Sequence, residues 1–119
     1  IFRERLQQYR MPMTSSVALP TSESSVDSQT ESLYHVILLN DEDHTYEYVI
    51  EMLQKLFGFS ETRSLRHTVE VDTRGMTILI TCELERAEGK RDQIHAFGPD
   101  PRLGRSLGSM AAVVEPAAG

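Results

Sequence analysis

The first sustained apolar run, Tyr34-His35-Val36-Ile37-Leu38-Leu39, is short, rich in strand formers, and stops abruptly at Asn40-Asp41-Glu42-Asp43-His44. A run of that length bounded by a polar cluster predicts a buried strand followed by a loop. Thr45 can then cap a helix, because Tyr46, Val49, Ile50, Leu53 and Phe57 recur at helical spacing and Gly58 falls where a helix accepts a left-handed residue. Ser60 can cap a second helix, which turns Leu65 and Val69 inward and ends near Val71 and Asp72, ahead of the turn signal Arg74-Gly75. Across residues 76–83, Met76, Ile78, Ile80 and Cys82 alternate with Thr77, Leu79 and Thr81, which predicts a strand with the first set on its apolar face. Leu84, Ala87, Arg91, Ile94 and Phe97 return to helical spacing, although Gly89 weakens that helix by about 1 kcal/mol relative to alanine. Gly98-Pro99-Asp100-Pro101 ends it, since neither proline can continue a helix. Residues 102–108 read as a basic loop, and residues 110–115 as a closing strand. The expected fold is α/β (α+β sandwich): a small three-stranded antiparallel sheet with three helices on one side, in the order β-α-α-β-α-β.

Upstream of this domain the pattern dissolves. From Thr14 to Ser32 serine and threonine fill more than half the positions, with no lysine or arginine. Such a stretch cannot bury enough surface to offset its ordering entropy. Residues 1–32 are therefore expected to be a disordered tail, 33–116 the folded domain and 117–119 its C-terminal end. Met11 and Met13 are plausible alternative starts within the tail.

Composition narrows the function. At 119 residues the chain accommodates one core. Its net charge of −6 repels phosphate backbones and anionic lipid heads, so neither nucleic acid nor a membrane is an expected partner. No apolar run is long enough to span a bilayer, which leaves the cytoplasm as the expected compartment. Cys82 stands alone, without a partner for a disulfide or a Cys-rich zinc site. The acidic run Asp41-Glu42-Asp43-His44 lacks the sixth-position glycine of a calcium loop, and no serine lies in a Gly-x-Ser-x-Gly setting. No catalytic residues, metal site or cofactor are expected. Taken by itself, Asn40-Asp41 reads equally as a polar turn that opens a helix.

Several stretches together resemble the ClpS family of Clp protease adaptors: Tyr34-x-Val-Ile-Leu-Leu-Asn40-Asp41, then Glu47-Tyr48-Val49-Ile50-x-x-Leu53-Gln54-Lys55-x-Phe57, Gly75 before a strand, and Glu85-x-Ala87-Glu88-x-Lys90. The likeness covers roughly residues 34–116. It implies a monomeric adaptor, without catalysis, that binds the free N-terminal residue of N-degron-bearing substrates. The substrate then passes to a Clp-type AAA+ unfoldase. By the same likeness Asn40 and Asp41 hold the substrate's α-amino group. Glu42 lies beside them, Val49, Val71 and Met110 form apolar walls, and Glu85 and Lys90 belong to the unfoldase-docking helix.

Three positions depart from the family pattern. Tyr46 replaces a gating methionine, Thr68 stands where a second methionine is common, and Asp72 replaces a histidine that accepts the third α-amino proton. An ammonium has three donors, and a carboxylate at residue 72 can supply the remaining acceptor. Tyr46 is expected at the pocket mouth, favouring Leu and Phe over Ile and Val. The alternative reading is a docking-only domain that modulates the unfoldase without a working pocket.

Overall fold

The computed structural model describes Ile1 and residues 32–118, so the expected tail falls almost wholly outside the described residues. Those residues form β1 (Tyr34–Leu39), α1 (Tyr46–Phe57), α2 (Glu61–Arg74), β2 (Met76–Cys82), α3 (Leu84–His95) and β3 (Ala112–Pro116). The sheet order is β2-β1-β3, antiparallel throughout, with β1 in the centre. Element order and sheet match the α+β arrangement expected from the sequence.

Local chemistry sets the helix ends. The Thr45 hydroxyl accepts from the Tyr48 amide at 3.1 Å, and Gly58 closes α1 with φ +71°. Ser60 caps α2 through the Arg63 amide at 3.0 Å. That helix continues past the expected end at Val71 and Asp72 to Arg74, where Gly75 at φ +90° supplies the left-handed residue that stops it. In α3, Ala87 and Ile94 are buried, whereas Leu84 is 41% exposed and Phe97 lies beyond the helix, half-buried against the core. The closing strand begins at Ala112, two residues later than expected.

The expected face of β2 is only half correct. Ile80 and Cys82 face the core, but Thr77 and Leu79 are buried while Met76 and Ile78 are 41% and 40% exposed. The cause is an irregularity in the β1–β2 ladder. Val36 pairs with Ile80 and Ile37 with Ile78, so Leu79 is the extra residue of a bulge, across which the inward phase switches. Strict alternation in the sequence cannot reveal such a shift. Val36 and Leu38 of β1 join Val49, Met52 and Leu53 of α1, Val71 of α2, Ile94 of α3 and Met110 in one core cluster.

Asp100, expected only as part of a helix terminator, instead organises the loop between α3 and β3. Its carboxylate accepts from the Thr45 amide (2.6 Å), the Thr45 hydroxyl (2.7 Å), the Arg102 amide (3.0 Å) and the Arg102 guanidinium (3.2 Å). Tyr48 adds a second tie by donating to the Gly98 carbonyl at 2.5 Å. The loop is thereby clamped to the start of α1.

The reassignment of β2 can be checked by stability. Leu79→Ala should lose about 2–5 kcal/mol in denaturant unfolding, the range for truncating a buried leucine, whereas Ile78→Ala should lose well under half as much. Equal losses would place both residues on the same footing and contradict the bulge.

Candidate functional site

Four chain ends converge beyond the C-terminal end of β1: the strand itself, the N-terminus of α1, the C-terminus of α2 and the segment leading into β3. Backbone hydrogen bonds fix this junction, with the Asn40 amide donating to Gly75 O and the Leu39 amide to Ala111 O, both at 3.0 Å. Asn40 therefore projects from a rigid base. The C-terminus of α2 presents partial negative charge and the N-terminus of α1 partial positive charge, so a cation is favoured on one side and carboxylates on the other.

A cation is present in the cleft. The α-ammonium of Ile1 donates to Asn40 Oδ1 at 2.6 Å and to the backbone carbonyl of Asp41. The Ile1 residue is 3% exposed and belongs to the same apolar cluster as Tyr46, Val49, Val71 and Met110. Nothing in the sequence pointed Ile1 at this place.

Asp41 takes part differently from what the resemblance implies, because the atom that meets the ammonium is its main-chain oxygen. Its carboxylate faces the loop: Oδ1 accepts from the Asp43 amide at 2.9 Å and faces His44 Nδ1 at 2.8 Å, with Oδ2 at 3.0 Å. His44 is the site residue that sequence reasoning missed. Its Nε2 lies 2.7 Å from the Gly108 carbonyl, so both ring nitrogens face oxygens that can only accept. A singly protonated ring could donate to only one of them, so this setting favours the doubly protonated form. Burial alone would lower the His44 pKa, but the Asp41 hydrogen bond, the Gly108 carbonyl and the charges of Asp41 and Asp100 raise it above the ordinary value. Burial acts on Asp41 in the upward direction, yet the His44 contact, the Asp43 amide and the nearby positive charges hold its pKa below the ordinary value. The signal available in the sequence was the i, i+3 spacing of Asp41 and His44.

The remaining expected residues divide between the cleft and its surroundings. Val49 and Val71 are fully buried, and Met110 is 1% exposed. Thr68 is also fully buried, with its hydroxyl donating to Ser64 O within α2 at 2.7 Å. Glu42 is exposed at the rim, where its carbonyl accepts from Arg105. Tyr46 is not at the mouth: it is 2% exposed, and its hydroxyl donates to Asp72 Oδ2 at 2.8 Å. Asp72 is 6% exposed, in the last turn of α2. Glu85 is exposed at the start of α3, beside Tyr34 at the opposite end of β1 from Asn40. Lys90, further along α3, donates to the Leu56 carbonyl at the end of α1.

One further histidine, His67, lies apart from this chemistry. His67 stacks on Phe59, accepts from Arg63 Nε at 3.4 Å and donates from Nδ1 to Thr77 Oγ1, which in turn donates to Glu70. Burial, reinforced by the Arg63 charge, pushes its pKa down to about 4, so it is neutral at pH 7. Among the described residues no group of three His, Cys, Asp or Glu side chains could hold a metal ion, and no helix is long and apolar enough to cross a membrane.

A small α+β domain with acceptors at the end of its central strand and apolar walls beneath has the architecture of a Clp protease adaptor. Residues 29–101 match the family model for the ATP-dependent Clp protease adaptor protein ClpS, and the chain belongs to that family. It is 33% identical over 75 residues to the ATP-dependent Clp protease adapter protein ClpS of Nautilia profundicola, a match covering 63% of this chain and 77% of that one. With the adapter of the same name from Aromatoleum aromaticum the identity is 37% over 65 residues, covering 55% of this chain and 64% of that relative. A solved structure of Agrobacterium tumefaciens ClpS2 bound to L-phenylalaninamide is similar at a TM-score of 0.64 and 28% identity, covering 73% of this chain and 99% of that one.

The charge state of His44 has a definite pH signature. A histidine whose folded pKa is raised contributes stability that is complete below the unfolded pKa and is lost as pH rises through the folded one. His44→Gln should therefore be less stable than the parent by about 1–3 kcal/mol at pH 5.5, with the gap shrinking as the pH climbs through the raised His44 pKa. A gap that does not change with pH would overturn the raised pKa of His44.

Proposed function

We propose that this domain binds the free α-amino group and first side chain of a protein substrate in the cleft at the end of β1 and delivers it to a Clp-type AAA+ unfoldase. The observation that carries this reading is the pair of acceptors at the end of β1, Asn40 Oδ1 and the Asp41 carbonyl, which an amino group meets in this structure, with Tyr46, Val49, Val71 and Met110 in the apolar cluster beneath. An amide nitrogen inside a chain has at most one proton to offer, whereas a free terminus brings three and a charge, so these acceptors discriminate termini from internal peptide. Asp72, in the last turn of α2, serves as the third acceptor, and Glu42 adds negative charge at the rim. The similar ClpS2 structure holds an amino-acid amide, a ligand of the same chemistry.

In this reading the domain binds and hands over, and performs no catalysis of its own. Glu85 and Lys90 on α3 face the unfoldase, at a distance from the cleft that leaves a bound substrate accessible. The free adaptor is a cytoplasmic monomer.

The test is titration of a short peptide in its free and N-acetylated forms. Acetylation should abolish binding. Asn40→Ala removes a hydrogen bond to a charged group and should weaken the free peptide by about 1.5–3 kcal/mol, roughly ten- to a hundredfold. If the acetylated peptide binds as well as the free one, the amino-group reading fails and a domain that only docks on the unfoldase becomes the better account.

A further inference from the structure

We propose that the groove between α2 and β2 is a second contact surface for the substrate, receiving an acidic stretch of the polypeptide a few residues after its N-terminus. The proposal rests on the N-terminal-residue reading above and adds a downstream feature to the substrate class.

The groove begins at the base of the cleft. Gly75 O, which accepts from the Asn40 amide at 3.0 Å, lies between Arg74, the last residue of α2, and Met76, the first of β2. From there two open hollows of about 440 Å³ and 390 Å³ run along the helix and share Glu70 and Arg74 in their walls. Arg63 and Arg66 line the far hollow, and Met76 and Ile78 the near one. Both of these apolar side chains are substantially exposed.

Charge identifies the occupant. In a chain of net charge −6, this groove presents the guanidinium groups of Arg63, Arg66 and Arg74 against the carboxylate of Glu70. Glu70 is already engaged, accepting from the Thr77 hydroxyl at 2.6 Å and lying 3.8 Å from Arg74. Arg66 is exposed and has no ion pair among the described residues. Burial and the Arg66 charge both lower the Arg63 pKa, the mark of two like charges held close. His67, in the same wall, is neutral at pH 7. Carboxylates of an incoming segment relieve this crowding, and Met76 and Ile78 offer apolar surface to the side chains between them.

The geometry also sets how the segment is read. β2 is an edge strand, but Arg63 donates to Leu79 O at 3.1 Å, at the bulge, and so occupies an acceptor that an added strand would need. The segment is therefore held by its side chains rather than by strand pairing. Arg63 and Arg74 lie about 16 Å apart along α2, a length that an extended chain covers in about five residues. Acidic side chains at about the third to seventh positions of a substrate then meet the guanidinium groups while its ammonium sits on Asn40.

Competition binding on the full chain tests this, using peptides that share a first leucine and are neutral, glutamate-rich or lysine-rich across those positions, each free and N-acetylated. At low ionic strength the acidic free peptide should bind about three- to tenfold tighter than the neutral one, and the basic one more weakly. Added salt should shrink the preference toward unity. Arg66→Glu/Arg74→Glu should abolish or invert it while leaving affinity for the neutral peptide within about twofold, and Arg66→Gln/Arg74→Gln should abolish it without inversion. Lys55→Glu/Arg86→Glu makes the same change in net charge elsewhere on the exposed surface and should preserve it. An acidic peptide that binds the parent chain no tighter than the neutral one, or equal losses in the two glutamate variants, overturns the groove proposal while leaving the amino-group reading intact. So does a parent chain that sediments as a dimer and becomes monomeric in Arg66→Glu/Arg74→Glu, since the groove then belongs to a second copy. Free and acetylated peptides that bind alike overturn the underlying reading, and the proposal with it.

Discussion

The cleft end of this molecule depends on keeping one buried and one half-buried carboxylate satisfied around the first turn of one helix. Asp100, 1% exposed, receives donors from Thr45 and Arg102, and Asp41 faces His44, whose pKa it helps to raise. A carboxylate as buried as Asp100, left without donors, would cost several kcal/mol, so the chain is held in the conformation that supplies them. That conformation has two results. The loop after α3 is pinned to the start of α1, and the main-chain oxygen of Asp41 is turned toward the cleft, because the side chain is committed to the opposite direction. The acceptor geometry for an ammonium is thus a by-product of charge satisfaction next to it.

How much of this was legible in the sequence depends on whether the determining interaction is local. Thr45, Gly58, Ser60 and Gly75 act within one turn of their own helices, and their residue types announced the boundaries. Asn40 and Asp41 were visible as a polar pair ending an apolar run. The role of the Asp41 backbone was not, since a carbonyl is carried by every residue and leaves no trace in residue type. The phase of β2 escaped for a similar reason: the bulge at Leu79 depends on how β1 pairs, and either face of Met76–Cys82 is apolar enough to go inward. Tyr46 and Asp72 stood out separately as departures from the family pattern, and their pairing needed the two helices brought together. Asp100, between two prolines, looked like punctuation.

Residues assigned to partners by resemblance also carry structural duties. Lys90 donates to the Leu56 carbonyl at 2.5 Å and lies 5.0 Å from the Phe57 ring centroid, so it satisfies one of the open carbonyls at the end of α1. Substituting Lys90 would therefore loosen the α1 terminus as well as altering the charge of the docking face, and a defect in delivery would have two physical sources. Glu85, exposed in the first turn of α3, is free of that ambiguity.

Asn40 follows directly from the strand that both neighbouring strands hydrogen-bond, and Val36, Ile37 and Leu38 behind it are almost fully buried. Amides so placed are released to solvent only in the most extensive openings of a domain, so the base of the cleft does not come and go with local fluctuations. Under the proposed function, capture then needs no ordering of the cleft's base. Arrival rates for different termini should cluster in the range of rigid-body docking, roughly 10⁵–10⁷ M⁻¹s⁻¹, and termini that differ in affinity should differ in residence time. Under the proposed function, how long a terminus stays bound is then the quantity that decides which proteins are handed over.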